Sequence, residues 1–165
     1  MYSVLSTTRI GGTLRWFYLL AFATLLAPKT LCAQSSNGYL VGGIGSRDGK
    51  LTSQAAVGAE RSFYRGVGIS GEIGAIFGHT SFAIFSLNGY YQPPVSDSSQ
   101  VNPFVSGGYT AGVAGGGSSM FNVGAGFSYW FLRRIALRTE LRDYVRPGAS
   151  PSSHFWGFRL GFAFR

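Results

Sequence analysis

The sequence predicts an all-β fold: an eight-stranded antiparallel up-and-down transmembrane β-barrel, preceded by a cleavable signal peptide. Three observations lead to this prediction. The chain after position 33 alternates with period two rather than with a helical period. It contains 25 Gly and 16% aromatic residues but only 12% charged residues, about half the charged share of a soluble domain. After position 33 it has no apolar run that matches the ~20 residues of a membrane-spanning helix.

The beginning of the chain has the pattern of a secretory signal. A basic start is followed by an unbroken apolar segment over residues 16–27, and small residues then offer cleavage after Cys32 or Ala33. The apolar segment is shorter than the ~20 residues that a membrane anchor needs. The sequence therefore predicts a signal peptide over residues 1–33 and one outer-membrane barrel domain over residues 34–165.

The charge of the chain argues against nucleic acid as a partner. The formal net charge is +8, of which Arg9, Arg15 and Lys29 contribute three, so the processed chain carries about +5. Its basic residues are scattered singly instead of forming a stripe. Cleavage also removes Cys32, the one cysteine of the chain, which excludes disulfides and cysteine-based metal sites from the processed protein.

The alternation divides the processed chain into eight segments. The clearest is the last, where Trp156, Phe158, Leu160, Phe162 and Phe164 fall on one face and small or charged residues fall on the other. Turn-forming residues separate this segment from the others. Four more clear segments cover residues 55–63, 67–77, 121–129 and 135–142, and three weaker ones cover residues 39–46, 82–91 and 104–111.

The distribution of side-chain size between the two faces indicates a membrane barrel. Bulky apolar residues occupy one face and Gly, Ala and Ser the other, which suits lipid outside and a narrow lumen inside. A soluble sandwich is the alternative, but it exposes a Gly-rich face with too few charges for solubility. Aromatic residues near the segment ends are expected to form interfacial girdles: Tyr90, Tyr91, Tyr109, Tyr129, Trp130, Phe131, Tyr144 and Trp156.

An even number of strands places both ends of the barrel domain on one side of the membrane. With the amino terminus in the periplasm, the connections expected outside the cell cover residues 47–50, 78–80, 112–119 and 145–153. The connection over residues 92–103 is then periplasmic and is long for that side.

The chain resembles the outer membrane β-barrel domain family, the small OmpA/OmpX-like barrels. The resemblance rests on the leader, the Gly/aromatic alternation from Gly38 onward, the triplet Asn102-Pro103-Phe104 and residues 135–144. The ending 161–164 is similar to the aromatic terminal strand that the barrel-assembly machinery reads, although Arg165 follows it. The resemblance implies a cell outer membrane location, contact with outer-membrane lipids, insertion by that machinery, and a monomer.

Six charged residues fall at positions predicted to point into the lumen. Because an unpaired charge in a narrow interior costs several kcal/mol, we expect an ion-pair network centred on Glu72, Arg138, Glu140 and Arg159. This network either fills the lumen as a structural plug or lines a gated narrow pore. The six residues are Glu60, Glu72, Arg138, Glu140, Arg142 and Arg159.

The predicted outer connections carry Arg47, Lys50, His79 and Arg146, which are expected to contact lipopolysaccharide phosphates or simply to be solvated. A structural or interaction role in the cell envelope is favoured, with no enzyme activity and no cofactor. A narrow channel for ions or very small solutes is the alternative.

A lipid A-modifying enzyme is a weaker alternative. The spacing of His79 and Ser81 suggests it, but the next strand provides no carboxylate to orient the histidine. His154, beside Ser152 and Ser153, makes no better case. Two histidines without an acid cluster also argue against a metal site.

Overall fold

The computed structural model describes residues 36–47, 49–78, 81–96, 99–113, 119–148 and 153–165. The predicted signal peptide lies outside the described residues, as do His79 and Thr80. No helix in these ranges is long and apolar enough to cross a membrane.

The described residues form eight β-strands in one sheet that closes on itself. Each strand pairs antiparallel with its sequence neighbours, and the first strand pairs with the last, from Gly38↔Phe164 to Arg47↔Phe155. The predicted eight-stranded antiparallel up-and-down barrel is confirmed. The strands are β1 (Ser36–Arg47), β2 (Lys50–Tyr64), β3 (Val67–Phe77), β4 (Phe82–Tyr91), β5 (Val101–Gly112), β6 (Ser119–Trp130), β7 (Ile135–Arg146) and β8 (Ser153–Phe164).

Local sequence explains two of the strand boundaries. Arg65 and Gly66 join β2 to β3 with φ angles of 46° and 85°, the left-handed pair that matches the twist of a two-residue hairpin. Pro103 lies near the start of β5, where it pairs with β6 but lies beyond the last β4 pair, Tyr91↔Val105. A proline is tolerated there because no strand pairs with β5 on that side, so the N–H that proline lacks is not needed for a second pairing.

The outer wall of the barrel is apolar on every strand. Its large side chains are exposed, for example Ile73 at 62%, Val123 at 59% and Phe158 at 47%. A continuous exposed apolar surface of this kind is unfavourable in water and suits hydrocarbon. Closure pairs the strand edges, which lipid cannot satisfy with hydrogen bonds. The predicted outward-facing sides of all five clear segments are confirmed.

Two of the expected girdle residues lie inside the barrel instead. Tyr90 and Tyr144 are 4% and 1% exposed and point into the lumen. Each occupies an inward-facing position in the alternation of its strand, next to an outward-facing residue. Trp130 is half-buried and packs against buried residues at one end of the lumen. Tyr91, Tyr129 and Trp156 do face outward, as a girdle requires.

The lumen also holds more bulky apolar residues than the sequence pattern suggests. One cluster lies toward the end where β1 begins and β8 finishes, here called the terminal end: Tyr39, Val41, Ala56, Ala136 and Ala163. The second lies toward the opposite, loop end: Ile76, Ile84, Met120, Tyr144 and Phe155.

Inward and outward glycines have different surroundings. A Cβ on Gly126 would lie 2.9 Å from the ring of Phe104 and 2.9 Å from the Cα of Glu140. A Cβ on Gly71, which faces outward, would meet no atom within 4 Å. Close packing therefore requires the inward glycine, whereas nothing in the barrel itself requires the outward one.

We predict that Gly126→Ala destabilises the barrel by ~1–3 kcal/mol, because the added methyl group overpacks the lumen. The matched variant Gly71→Ala should be neutral or stabilising by ~0.5–1 kcal/mol, because alanine loses less backbone entropy on folding. Denaturant unfolding of the barrel in lipid vesicles measures both. Equal stability of the two variants would contradict the close packing that the structure shows around Gly126.

Candidate functional site

The structure brings all six predicted charged residues together inside the barrel. Glu60 comes from β2, Glu72 from β3 and Arg159 from β8, and the other three lie at alternate positions of β7. Each is 6% exposed or less, and Arg159 is fully buried. Alternation explains this arrangement, because residues two apart in a strand share a face.

Glu72, Glu140, Arg142 and Arg159 form the centre of the network. Arg142 donates to both carboxylates, with 3.2 Å from Nη1 to Glu72 and 2.6 Å from Nη2 to Glu140. Arg159 lies 2.5 Å from Glu72 and 3.7 Å from Glu140. Two acids thus balance two bases, and the charge-assisted hydrogen bonds offset the cost of burying them.

Arg138 and Glu60 form a separate pair, 2.9 Å apart, closer to the terminal end. The Arg138 guanidinium lies 4.4 Å from the ring centre of Tyr39 and 3.9 Å from that of Phe104, so two aromatic rings also contact this cation. The expected centre therefore differs in one member, since Arg142 takes the place of Arg138. Arg138 precedes Glu140 by two residues in β7, so its side chain enters the lumen one layer closer to the terminal end.

Neutral side chains that the sequence analysis missed extend the network. Tyr39 donates its hydroxyl to Glu72 at 3.1 Å, Asn37 donates to Glu60 at 3.2 Å, and Ser106 donates to Glu140 at 3.4 Å. Asn122 extends the polar layer across β4 and β5 by donating to Asn88 at 2.8 Å. The alternation of each strand could have identified these residues as inward-facing, but in Gly-rich strands such as β1 the two faces are hard to tell apart.

The loop-end cluster closes the lumen above the charged network. Tyr144 and Phe155 stack with their ring centres 5.2 Å apart. The space left between this cluster and the mouth residues Arg47 and Arg146 is about 10 Å³, at or below the volume that one water molecule needs. Within the described residues, the lumen is therefore sealed on this side by apolar packing.

The three predicted loop cations lie at the loop end. Arg47 and Lys50 face each other across the β1–β2 pairing, and Arg47 and Arg146 both line the small mouth cavity. The Arg47 guanidinium also lies 6.0 Å from the ring of Phe82. The structure thus places Arg47 and Arg146 at the mouth, with Lys50 exposed beside them.

The described histidine, His154, lies on the outer wall. Its Nδ1 is 2.9 Å from Asp143 Oδ2, and the pair is partly exposed near the loop end. Among the described residues, no group of three or more His, Cys, Asp or Glu side chains is placed to hold a metal ion.

Comparison with solved structures identifies the fold. No protein-family model and no curated protein sequence matches the chain. The N-terminal β-barrel domain of Pseudomonas aeruginosa OprF is similar, with a TM-score of 0.55, 18% identity, and coverage of 78% of this chain and 97% of that chain.

Two more solved structures are similar over comparable lengths. Neisserial surface protein A gives a TM-score of 0.54 at 12% identity and covers 80% of this chain and 98% of its own. Ail, the attachment invasion locus protein of Yersinia pestis, gives 0.51 at 14% identity, with 79% and 97% covered.

The chain has the fold of the small outer-membrane β-barrels. Its uninterrupted apolar wall agrees, since closed barrels with such walls span outer membranes. The wall is therefore suited to contact with membrane lipids.

We predict that Glu72→Gln destabilises the barrel by about 3–5 kcal/mol, because it leaves Arg142 and Arg159 with too little compensating charge in a buried site. Asp143→Asn is the matched control, since it removes one carboxylate from the partly exposed pair with His154 and should cost less than about 1 kcal/mol. Denaturant unfolding in vesicles gives both values. A Glu72 variant as stable as the Asp143 variant would show that the network contributes nothing.

Proposed function

We propose that this protein is a closed structural or interaction barrel of the cell envelope rather than a conduit. The observation that carries the proposal is the filled lumen: it holds a charge-balanced network of six residues, each 6% exposed or less, together with two buried apolar clusters. The function then resides on the outer wall and at the two ends of the barrel, where other molecules have access.

The energetics of the network support this proposal. A permeating ion must displace Arg142 or Arg159 from Glu72 and Glu140, and each of these pairs lies in a desolvated interior. Breaking a buried pair costs about 3–5 kcal/mol. The ion must also pass the stacked Tyr144 and Phe155, an apolar layer that excludes its hydration shell.

We further propose lipopolysaccharide as a partner at the loop end, through Arg47, Lys50 and Arg146, because cations at a membrane surface attract anionic head groups. The outward Phe162 and Phe164 of β8 support recognition by the barrel-assembly machinery. Complete closure leaves no free strand edge to pair with a second copy, which supports a monomer. The sealed charges support a protein without enzyme activity, since no substrate reaches them.

In planar bilayers, we expect the refolded protein to show no conductance above the leak of the membrane. A large general porin added to the same preparation serves as the positive control, and heat-modifiable gel mobility establishes that the barrel is folded. Discrete conductance steps from the folded protein would favour the narrow channel and sink the closed-barrel proposal.

Replacing Arg47, Lys50 and Arg146 together by Gln should weaken binding to lipopolysaccharide by roughly tenfold or more, because each cation near an anionic surface contributes on the order of 1 kcal/mol. The matched control replaces Arg61, Arg65 and Arg134 at the terminal end, which removes the same charge without touching the loop end. Microscale thermophoresis with purified lipopolysaccharide measures the affinity.

Binding that is equal in both triple variants would eliminate the loop-end site. Mass spectrometry of the incubated lipopolysaccharide gives a second readout, and we expect unchanged lipid A masses. A loss of acyl chains would overturn the proposal that the protein lacks enzyme activity.

A further inference from the structure

A polar pocket opens at the terminal end of the barrel, between residues 99–100, which precede β5, and residues 131–134, which connect β6 to β7. Its volume is about 510 Å³, within the range of small-molecule sites. The lining residues that matter here are Ser99, Gln100, Phe131, Leu132, Arg133 and Arg165.

Backbone hydrogen bonds fix the shape of this pocket. The N–H of Trp130 donates to the carbonyl of Gln100 at 2.8 Å, and that of Arg165 donates to the carbonyl of Arg134 at 3.1 Å. The Leu132 N–H closes its own connection by donating to Ile135 at 3.2 Å. Both walls of the pocket are therefore tied to the ends of strands, so it is a formed feature of the barrel rather than a gap between loose loops.

Two guanidinium groups line the pocket, those of Arg133 and Arg165. Arg165 stacks on Trp130 with its guanidinium 3.8 Å from the ring, and burial lowers its pKa. Within the described part of the chain, neither Arg133 nor Arg165 forms an ion pair with an acid; the described ion pairs all lie in the lumen or join His154 to Asp143. Guanidinium groups match the geometry of phosphate oxygens.

An apolar edge borders the same pocket. Phe131 and Leu132 are 45% and 54% exposed, and they continue the lipid-facing wall of which Tyr129 is part. A ligand that fits therefore has a phosphate at one end and hydrocarbon at the other, which a soluble anion lacks. A zwitterionic head group fits less well, because its ammonium group would lie near two guanidinium groups.

We propose that this pocket binds an anionic phospholipid of the surrounding leaflet, with Arg133 and Arg165 contacting the phosphate and with Phe131 and Leu132 contacting the acyl chains. Ser99 and Gln100 offer further hydrogen bonds to the head group. On the predicted orientation this is the periplasmic leaflet. The site is independent of the lumen, so it stands whether or not the barrel conducts.

Native mass spectrometry of the purified full-length processed protein in detergent tests this site, with phosphatidylglycerol and phosphatidylethanolamine as probes. We expect phosphatidylglycerol to bind more tightly, and R133Q/R165Q to weaken it by roughly tenfold to thirtyfold. The matched control R61Q/R65Q removes two arginines of the same end that do not line the pocket, and it should keep the affinity. Heat-modifiable gel mobility establishes folding, and R133Q alone carries the test if the double variant does not fold.

Three results overturn the proposal. The first is equal binding of the two lipids to the unmodified protein, and the second is unchanged binding in the pocket variants. The third is an equal loss in both arginine pairs, which points to general surface attraction. Glycerol phosphate without acyl chains provides the remaining arm: binding as tight as that of phosphatidylglycerol would assign the pocket to a soluble anion instead.

Discussion

The central constraint on this protein is that a closed barrel of eight strands encloses a lumen only wide enough for side chains. Whatever points inward has to fill that space and neutralise its own charge, since water has little access. The pairing of Glu72 and Glu140 with Arg142 and Arg159 meets both demands. Two buried apolar clusters help to meet the demand for volume, so the described interior is packed as a core.

The wall separates two environments with opposite requirements. Inside, small residues such as Gly126 are needed where the backbone of a neighbouring strand and an aromatic ring approach. Outside, bulky apolar side chains gain from contact with hydrocarbon, and a glycine such as Gly71 faces open space. Glycine therefore occurs on the two faces for different physical reasons, and a count of the glycines does not distinguish them.

Because the interior is occupied, recognition is left to the ends of the barrel, and the ends differ. The loop end places Arg47 and Arg146 around an apolar seal with almost no free volume, which suits contact with a surface of phosphates. The terminal end holds a formed pocket with Arg133 and Arg165 beside exposed apolar side chains, which suits a single amphipathic molecule. The two ends of the barrel therefore offer different surfaces to neighbouring molecules.

The sequence by itself determined the strand number, the outward faces and the six inward charges, because period-two alternation is a local property that pairing does not alter. It did not determine which charges meet, since the level of a residue in the lumen depends on the stagger between strands distant in the chain. That stagger sets Arg142 rather than Arg138 between Glu72 and Glu140. The pocket of Arg133 and Arg165 likewise arises only when the pairing of β7 with β8 brings the end of β8 beside the β6–β7 connection.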